Sequence, residues 1–277
     1  MPVLALSSHV AVGHVGNAAA VPALERRGHE VWRVDTVSFS NHPGHHKFTG
    51  TVREGHEIVE LMRGIANHTG WRGVEGIYSG YLGTPETGRA FAGILDAVEE
   101  ASPDAVYLCD PVIGDHGRVF VRAGIENAFR DRLVPRATII TPNAFELALL
   151  SGHRVETVAD AHDAAVTLLE WGPKVVVATG VPDGDHLAIL AVTAEENWIA
   201  RSPWHDRPFF GTGDLFAGLF LSHWLEHRSA APALARAVAG LEVATAATTA
   251  AGSVDLVLIA HLDAITGAPP ARVLPLG

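Results

Sequence analysis

Short apolar, β-branched runs recur along the chain, each closed by Gly, Pro, Asn, Ser or Asp and followed by a longer stretch with helical spacing. The clearest runs are residues 3–6, 31–34, 76–78, 105–109, 138–140 and 175–178. Their near-continuous apolarity predicts strands covered on both faces, as in a parallel sheet. Between them, segments 16–27, 56–66, 84–101, 124–132, 143–151 and 160–171 carry helical periodicity. The alternation predicts a doubly wound α/β domain, a mainly parallel sheet flanked by helices on both faces. No Ser-, Gly- or charge-rich linker interrupts it, so residues 1–277 read as a single domain.

Composition narrows the function classes. With 48% hydrophobic and 18% charged residues over 277 positions, the chain has ample material for a core and is not disordered in composition. A formal net charge of −11 opposes a nonspecific grip on nucleic acid or an anionic membrane. The one cysteine, Cys109, has no partner for an internal disulfide or a zinc-thiolate site. The N-terminus lacks a secretory pattern, and the Ala-rich segment 230–260 is broken by Arg236, Glu242 and Asp255. A soluble cytoplasmic protein is expected.

In such a fold ligands bind at the carboxyl ends of the parallel strands. The residues found there are Ser7, Ser8 and His9; Ser79, Gly80 and Tyr81; Asp110 and Pro111; Thr141, Pro142 and Asn143; Thr179 and Gly180. Each cluster alone is also ordinary turn chemistry. Their recurrence at one sheet edge favours a site.

The most informative stretch is Phe209-Phe210-Gly211-Thr212-Gly213-Asp214, followed by an amphipathic helix expected to begin at or near Asp214. Gly211 and Gly213 let the backbone approach a ligand. The free amides of a helix start form an anion site suited to a phosphate in flight. Asp214 then has two readings: an N-cap or first-turn acid, or a general base that deprotonates an alcohol beside the phosphoryl group. Spacing alone leaves both open.

Gly211-Thr212-Gly213-Asp214 before an apolar helix resembles the signature of ribokinase-like small-molecule kinases. Further stretches resemble the pyridoxal kinases among them: Ser8-His9-Val10 with Gly13-His14-Val15-Gly16-Asn17, Phe39-Ser40-Asn41-His42, Cys109-Asp110-Pro111-Val112-Ile113-Gly114-Asp115, and Ile140-Thr141-Pro142-Asn143 with Glu146. The matches run in order from about residue 4 to 225. The resemblance implies ATP-dependent phosphorylation of the 5′-hydroxyl of pyridoxal, with pyridoxine and pyridoxamine as further substrates, by a homodimer that uses Mg²⁺ and a monovalent cation, K⁺.

It further implies roles residue by residue. Ser8 would bond the pyridine ring, Tyr81 would pack against it, and His42 would belong to the substrate-side loop. Asp110, Asp115, Thr141, Glu146 and Thr179 would surround the cations. Asp115, Asn143, Glu146, Thr179 and Gly180, with Gly211 and Gly213, would line the ATP side. Gly211, Thr212 and Gly213 would form the anion hole and Asp214 the base. Asn143 followed by Glu146 is also a capping-box pattern, and both roles can coexist. Residues 114–121 resemble the flap that closes over substrate and excludes water.

Two departures bear on substrate placement: Pro43 stands where the family usually has Thr, and Ser7 where Gln commonly precedes the Ser-His pair. His42, His45 and His46 invite a metal reading, but no zinc-site spacing is expected here, such as two His four apart on a helix flanking a Glu. Cys109 reads as a buried small hydrophobe. The alternatives are a hydroxymethylpyrimidine kinase, whose relatives usually open with a Gly-rich loop unlike SSHVAVGHVGN, and a noncatalytic pyridoxal-binding protein.

Overall fold

A computed structural model describes residues 2–276. The chain opens with β1 (Pro2–Val10), α1 (Asn17–Arg26), β2 (Glu30–Phe39), β3 (Gly50–Val52), α2 (Gly55–Thr69), β4 (Gly76–Ser79), α3 (Pro85–Ala101) and β5 (Val106–Cys109). A small hairpin, β6 (Gly114–Asp115) and β7 (Arg118–Val119), leads to α4 (Ile125–Ala128), β8 (Ile139–Ile140), α5 (Ala144–Ser151) and α6 (Val158–Leu169). Then come β9 (Val175–Asp183), β10 (His186–Val192), β11 (Asn197–Pro203), α7 (Thr212–His227), α8 (Ala230–Ala250), α9 (Leu262–Thr266) and β12 (Val273–Pro275).

The main sheet has 10 strands in the order β12-β11-β10-β9-β8-β5-β4-β1-β2-β3. Pairing is parallel from β2 through β1, β4, β5 and β8 to β9, and antiparallel at both margins. Side chains alternate between faces as a strand's period of two demands. In β1, Leu4 and Leu6 join the core under α2, α3, α5 and α6, whereas Val3 and Ala5 join the core under α1, α7 and α8. Strand order reverses at β1, which makes the crevice beyond β1 and β4 the switch point where this architecture receives ligands.

The expected alternation holds through β9 and then stops. Segments 186–192 and 197–203, which carry no helix between them, add the antiparallel strands β10 and β11 by short turns. The helix expected over 124–132 is instead the short α4 followed by a wider π turn over Phe129–Leu133, which buries Phe129 and Leu133 completely. The Ala-rich segment forms α8, and no helix of the described residues is long and apolar enough to cross a membrane.

Candidate active site

Helix α7 begins at Thr212, capped by Gly211 in a left-handed conformation with φ of 92°. Asp214 is therefore not the N-cap; it sits in the first turn. Glycine at 211 is required twice over, since a Cβ there would lie 1.9 Å from the carbonyl oxygen of His14. That contact presses the helix start against the loop after β1. The Thr212 hydroxyl turns back to donate to the Phe209 carbonyl at 3.4 Å, and the first amides of α7 have no partner within the helix. Gly213 is exposed, and a Cβ on it would meet only Asp110 Oδ2, at 4.0 Å. The anion hole and the aspartate after β5 thus share one space.

Asp214 is partly buried. Burial pushes its carboxyl above the ordinary range, opposed by hydrogen bonds from the Gly16 amide and from the Tyr78 hydroxyl. Tyr78, at 0% exposure in β4, donates to Asp214 Oδ1 at 3.0 Å. Gly80 leaves room for this arrangement, because a Cβ there would come within 2.5 Å of Ser7 Oγ and 2.7 Å of the Tyr78 hydroxyl. Ser7 accepts from the Tyr81 amide at 3.2 Å and so orders the Ser-Gly-Tyr turn. The chain's departure at position 7 therefore serves as a support of this turn.

Gly16, with φ of 57°, packs against Ser8, whose Oγ would lie 2.3 Å from a Cβ at 16. Asn17 is fully buried and donates to the carbonyls of Ser7 and Val34 and to Asp35 Oδ1, at 3.3, 3.1 and 2.8 Å. It bridges β1 and β2 where their register shifts between Ser7 and His9, leaving Ser8 outside the regular pairing. Nδ1 of His9 is buried with no protein partner, a polar atom available to a ligand.

Asp110, Thr141 and Glu146 are 6%, 4% and 3% exposed. Thr141 donates to Asp110 Oδ1 at 3.1 Å. Burial raises the Asp110 carboxyl well above its usual range, and the neighbouring charges of Glu146 and Asp214 raise it further. Glu146 completes the predicted capping box with Asn143 on α5. Its Oε1 accepts from the Ile113 and Gly114 amides at 2.9 and 3.3 Å, and its Oε2 from the Asn143 amide at 3.0 Å. Burial still pushes Glu146 up to about 8. Carboxylates converging on one desolvated place, all hard oxygen donors, suit a divalent cation such as magnesium, which takes one or two carboxylates plus waters and phosphates.

Asn143 also bridges outward: its side-chain amide donates to the Gly114 carbonyl at 2.8 Å, and its backbone pairs with Thr179. Gly180 follows, exposed, with φ of 65°. Asp115 lies on the exposed β6–β7 hairpin and spends one oxygen on the His116 amide at 2.7 Å; its charge reaches Glu146 but it is not packed into the carboxylate cluster. The hairpin turns through Gly117 with φ of 76° and leaves Val119 and Phe120 45% and 53% exposed.

Across the crevice, Pro43 opens a short 3₁₀ turn capped by His42, whose Nδ1 accepts from the Gly44 amide at 3.1 Å. The His42 ring lies 4.1 Å from that of Phe210, centroid to centroid, and burial lowers its pKa. His45 pairs with Asp255 at 3.0 Å. The loop thus docks on the residue preceding the Gly211 cap. Tyr81 stands on the other side, partly buried, its carbonyl accepting from Thr36 at 2.7 Å.

The candidates therefore gather along one sheet edge, with Tyr78 and Asp255 added by the structure. Tyr78 was hidden as the last apolar position of a strand; only the Gly80 that follows it hinted that something polar needed the space.

Free helix-start amides beside the carboxylates of Asp214 and Asp110, on a doubly wound sheet, fit a kinase acting on a small molecule. The phosphomethylpyrimidine kinase family model matches residues 73–257. The chain is 40% identical over 270 residues to a pyridoxal kinase of Granulibacter bethesdensis, covering 94% of each, and 42% identical over 269 residues to one of Deinococcus radiodurans, covering 93% of this chain and 90% of that one. Among solved structures, pyridoxal kinase of Leishmania donovani in complex with ADP and ginkgotoxin superposes with a TM-score of 0.94 at 28% identity, over 100% of this chain and 99% of that one. A further structure of the same enzyme holds ADP and pyridoxamine, with a TM-score of 0.93 at 29% identity, over 100% of this chain and 99% of that one. The chain belongs to the pyridoxal kinase family.

Proposed function

We propose that this protein transfers the γ-phosphoryl group of ATP to the 5′-hydroxyl of pyridoxal, and to the same hydroxyl of pyridoxine and pyridoxamine, giving the 5′-phosphates in vitamin B6 salvage. The observation that carries the reading is Asp214 in the first turn of α7, directly after Gly211–Gly213 and across from Asp110. In its ionised form Asp214 accepts the proton of the attacking hydroxyl, while the amides from Gly211 to Gly213 stabilise the transferring oxygens. Ser8 and Tyr81 orient the pyridine ring, and His42 closes the substrate side. Asn143, Thr179 and Gly180 flank the nucleotide, and the hairpin bearing Asp115 covers it, excluding water that would otherwise accept the phosphoryl group.

Asp110, Thr141 and Glu146 would hold magnesium, with Asp115 and Thr179 nearby; the ion supplies charge neutralisation of the phosphates. A monovalent cation, K⁺, is expected as activator by resemblance. We also infer one domain over residues 1–277, acting as a homodimer in the cytoplasm, in keeping with the charge and the lone buried cysteine.

The match to the phosphomethylpyrimidine kinase family supports one second reading, a hydroxymethylpyrimidine kinase. The test is ADP release with ATP, Mg²⁺ and K⁺ against pyridoxal, pyridoxine, pyridoxamine and hydroxymethylpyrimidine. Turnover on pyridoxal above all others supports the proposal. Preference for the pyrimidine replaces it with the second reading, and pyridoxal binding without any turnover would make the protein a binder.

A further inference from the structure

The expectation that no histidine spacing here suits a transition metal fails at the far end of α7. His223 and His227 flank Glu226 in the sequence His-Trp-Leu-Glu-His, and positions three and four apart share one face of a helix. His223 Nδ1 lies 3.8 Å from Glu226 Oε2, and His227 Nε2 lies 3.7 Å from the same oxygen. All of the candidate ligand atoms fall within 4.8 Å of one another. Donors on a tetrahedral ion with bonds of about 2.0–2.2 Å sit roughly 3.3–3.6 Å apart. The two edges through Glu226 are thus nearly at coordination spacing, and the imidazole edge closes by rotation of partly exposed His227.

A second observation is independent of spacing. Nδ1 of His223 and Nε2 of His227 are both buried with no hydrogen-bond partner, and His223 is only 2% exposed. Buried ring nitrogens without partners are uncommon and costly. Here both lie within 3.8 Å of one carboxylate oxygen. The rings are held nearly parallel, 8° apart, with centroids at 6.3 Å. Burial, and after it the charges of Arg27 and Arg236, pushes His223 down to about 4, so its imidazole is neutral near pH 7 and needs no deprotonation to bind.

The competitor is Arg27, at the end of α1, whose guanidinium pairs with Glu226 Oε2. It has a second anchor in Ser222 Oγ, at 3.4 Å from Nε. A cation that takes the Glu226 oxygen displaces the Arg27 guanidinium, which keeps its Nε contact with Ser222.

We propose that His223, Glu226 and His227 form a binding site for one first-row transition-metal ion, with Zn²⁺ as the physiological occupant. Two imidazoles and a carboxylate select such an ion over magnesium, which prefers oxygen alone. His223 lies nine residues beyond Asp214 on the same helix, about 14 Å along its axis, so occupancy is separable from phosphoryl transfer.

The test is calorimetric titration of ZnCl₂ into tag-free, EDTA-treated and dialysed protein, with MgCl₂ as control. One equivalent of Zn²⁺ binds, and Mg²⁺ does not compete for it. His227→Ala and Glu226→Gln each weaken binding at least about tenfold, the loss that even an outer-shell contact can carry. His45→Ala with His46→Ala, which removes the other histidine cluster, leaves the affinity unchanged. His227 is on the surface side, so circular dichroism and retained turnover show that its variant is folded. Absence of Zn²⁺ binding by the parent protein, or undiminished binding by both His227→Ala and Glu226→Gln, overturns the proposal.

Discussion

The Tyr78 hydroxyl donates to Asp214 Oδ1 at 3.0 Å from a ring with 0% exposure. A phenol so buried stays protonated, because burial and the Asp214 charge both push its pKa well above 10.0. It is therefore a permanent donor, and it stabilises the ionised base against the upward push of burial. Removing the hydroxyl raises the Asp214 pKa, so less of the base is ionised on the acidic side. Tyr78→Phe moves the acid limb of the kcat/KM profile to higher pH and costs about tenfold to a hundredfold below neutrality, the worth of a hydrogen bond to a charged group. The deficit closes as the pH rises. A uniform loss at every pH would mean that Tyr78 only packs.

Asp214→Asn keeps an acceptor for Tyr78 and the volume of the side chain, so the helix start stays in place. It has no site for the hydroxyl proton. Turnover falls by about 10² to 10⁴, while ADP affinity, read by calorimetry, is unchanged. Near-parental kcat would remove Asp214 from the role of base.

What was legible in the chain was local. Gly211 to Asp214 and the Asn143–Glu146 box are spelled within a few residues and map onto a helix start and a cap. The parallel core was legible because its strands, covered on both faces, are short apolar runs. Tyr78 and Asp214 meet across 136 positions of sequence, and no periodicity predicts such a contact. The antiparallel β10 and β11 are not legible from strand-helix alternation, which a hairpin lacks. Over 124–132 the helical pattern was real, and the chain stays helical there, but the turn over Phe129–Leu133 is wider than an α-helical one. His223 to His227 is hard to read in the sequence because Leu, Phe and Trp around it mark α7 as core, which hides the polar end of the same helix.

Asp110 and Glu146 link cation binding to protons. Burial raises both, Glu146 from 4.5 to about 8, so the ligand-free protein retains protons that the unfolded chain has lost. Across the window from 4.5 to about 8, the folded state binds more protons, and stability without ligand falls as pH rises. A divalent cation favours the ionised forms. Binding of Mg²⁺ with ADP therefore releases protons below about pH 8 and tightens as pH approaches that value. Calorimetry in buffers of different ionisation enthalpy measures the release. Binding with no net proton exchange near pH 7 would place the cation elsewhere.

Gly211 and Gly213 separate scaffold from chemistry. At 211 the backbone has φ of 92° and a Cβ would strike the His14 carbonyl at 1.9 Å. Gly211→Ala therefore pays the left-handed penalty of about 1–2 kcal/mol per residue, and the clash adds to it by pushing α7 off the loop after β1. Both Tm and turnover fall. At 213 the backbone is helical, and the nearest neighbour of a Cβ is Asp110 Oδ2 at 4.0 Å. Gly213→Ala leaves the protein as stable, or more so by about 0.5–1 kcal/mol through helix propensity, yet its methyl group enters the space assigned to the transferring phosphoryl group. Turnover drops with Tm unchanged or raised. Full activity in Gly213→Ala would show that phosphate does not pass there, and an equal fall in Tm for both variants would show that both glycines are scaffold.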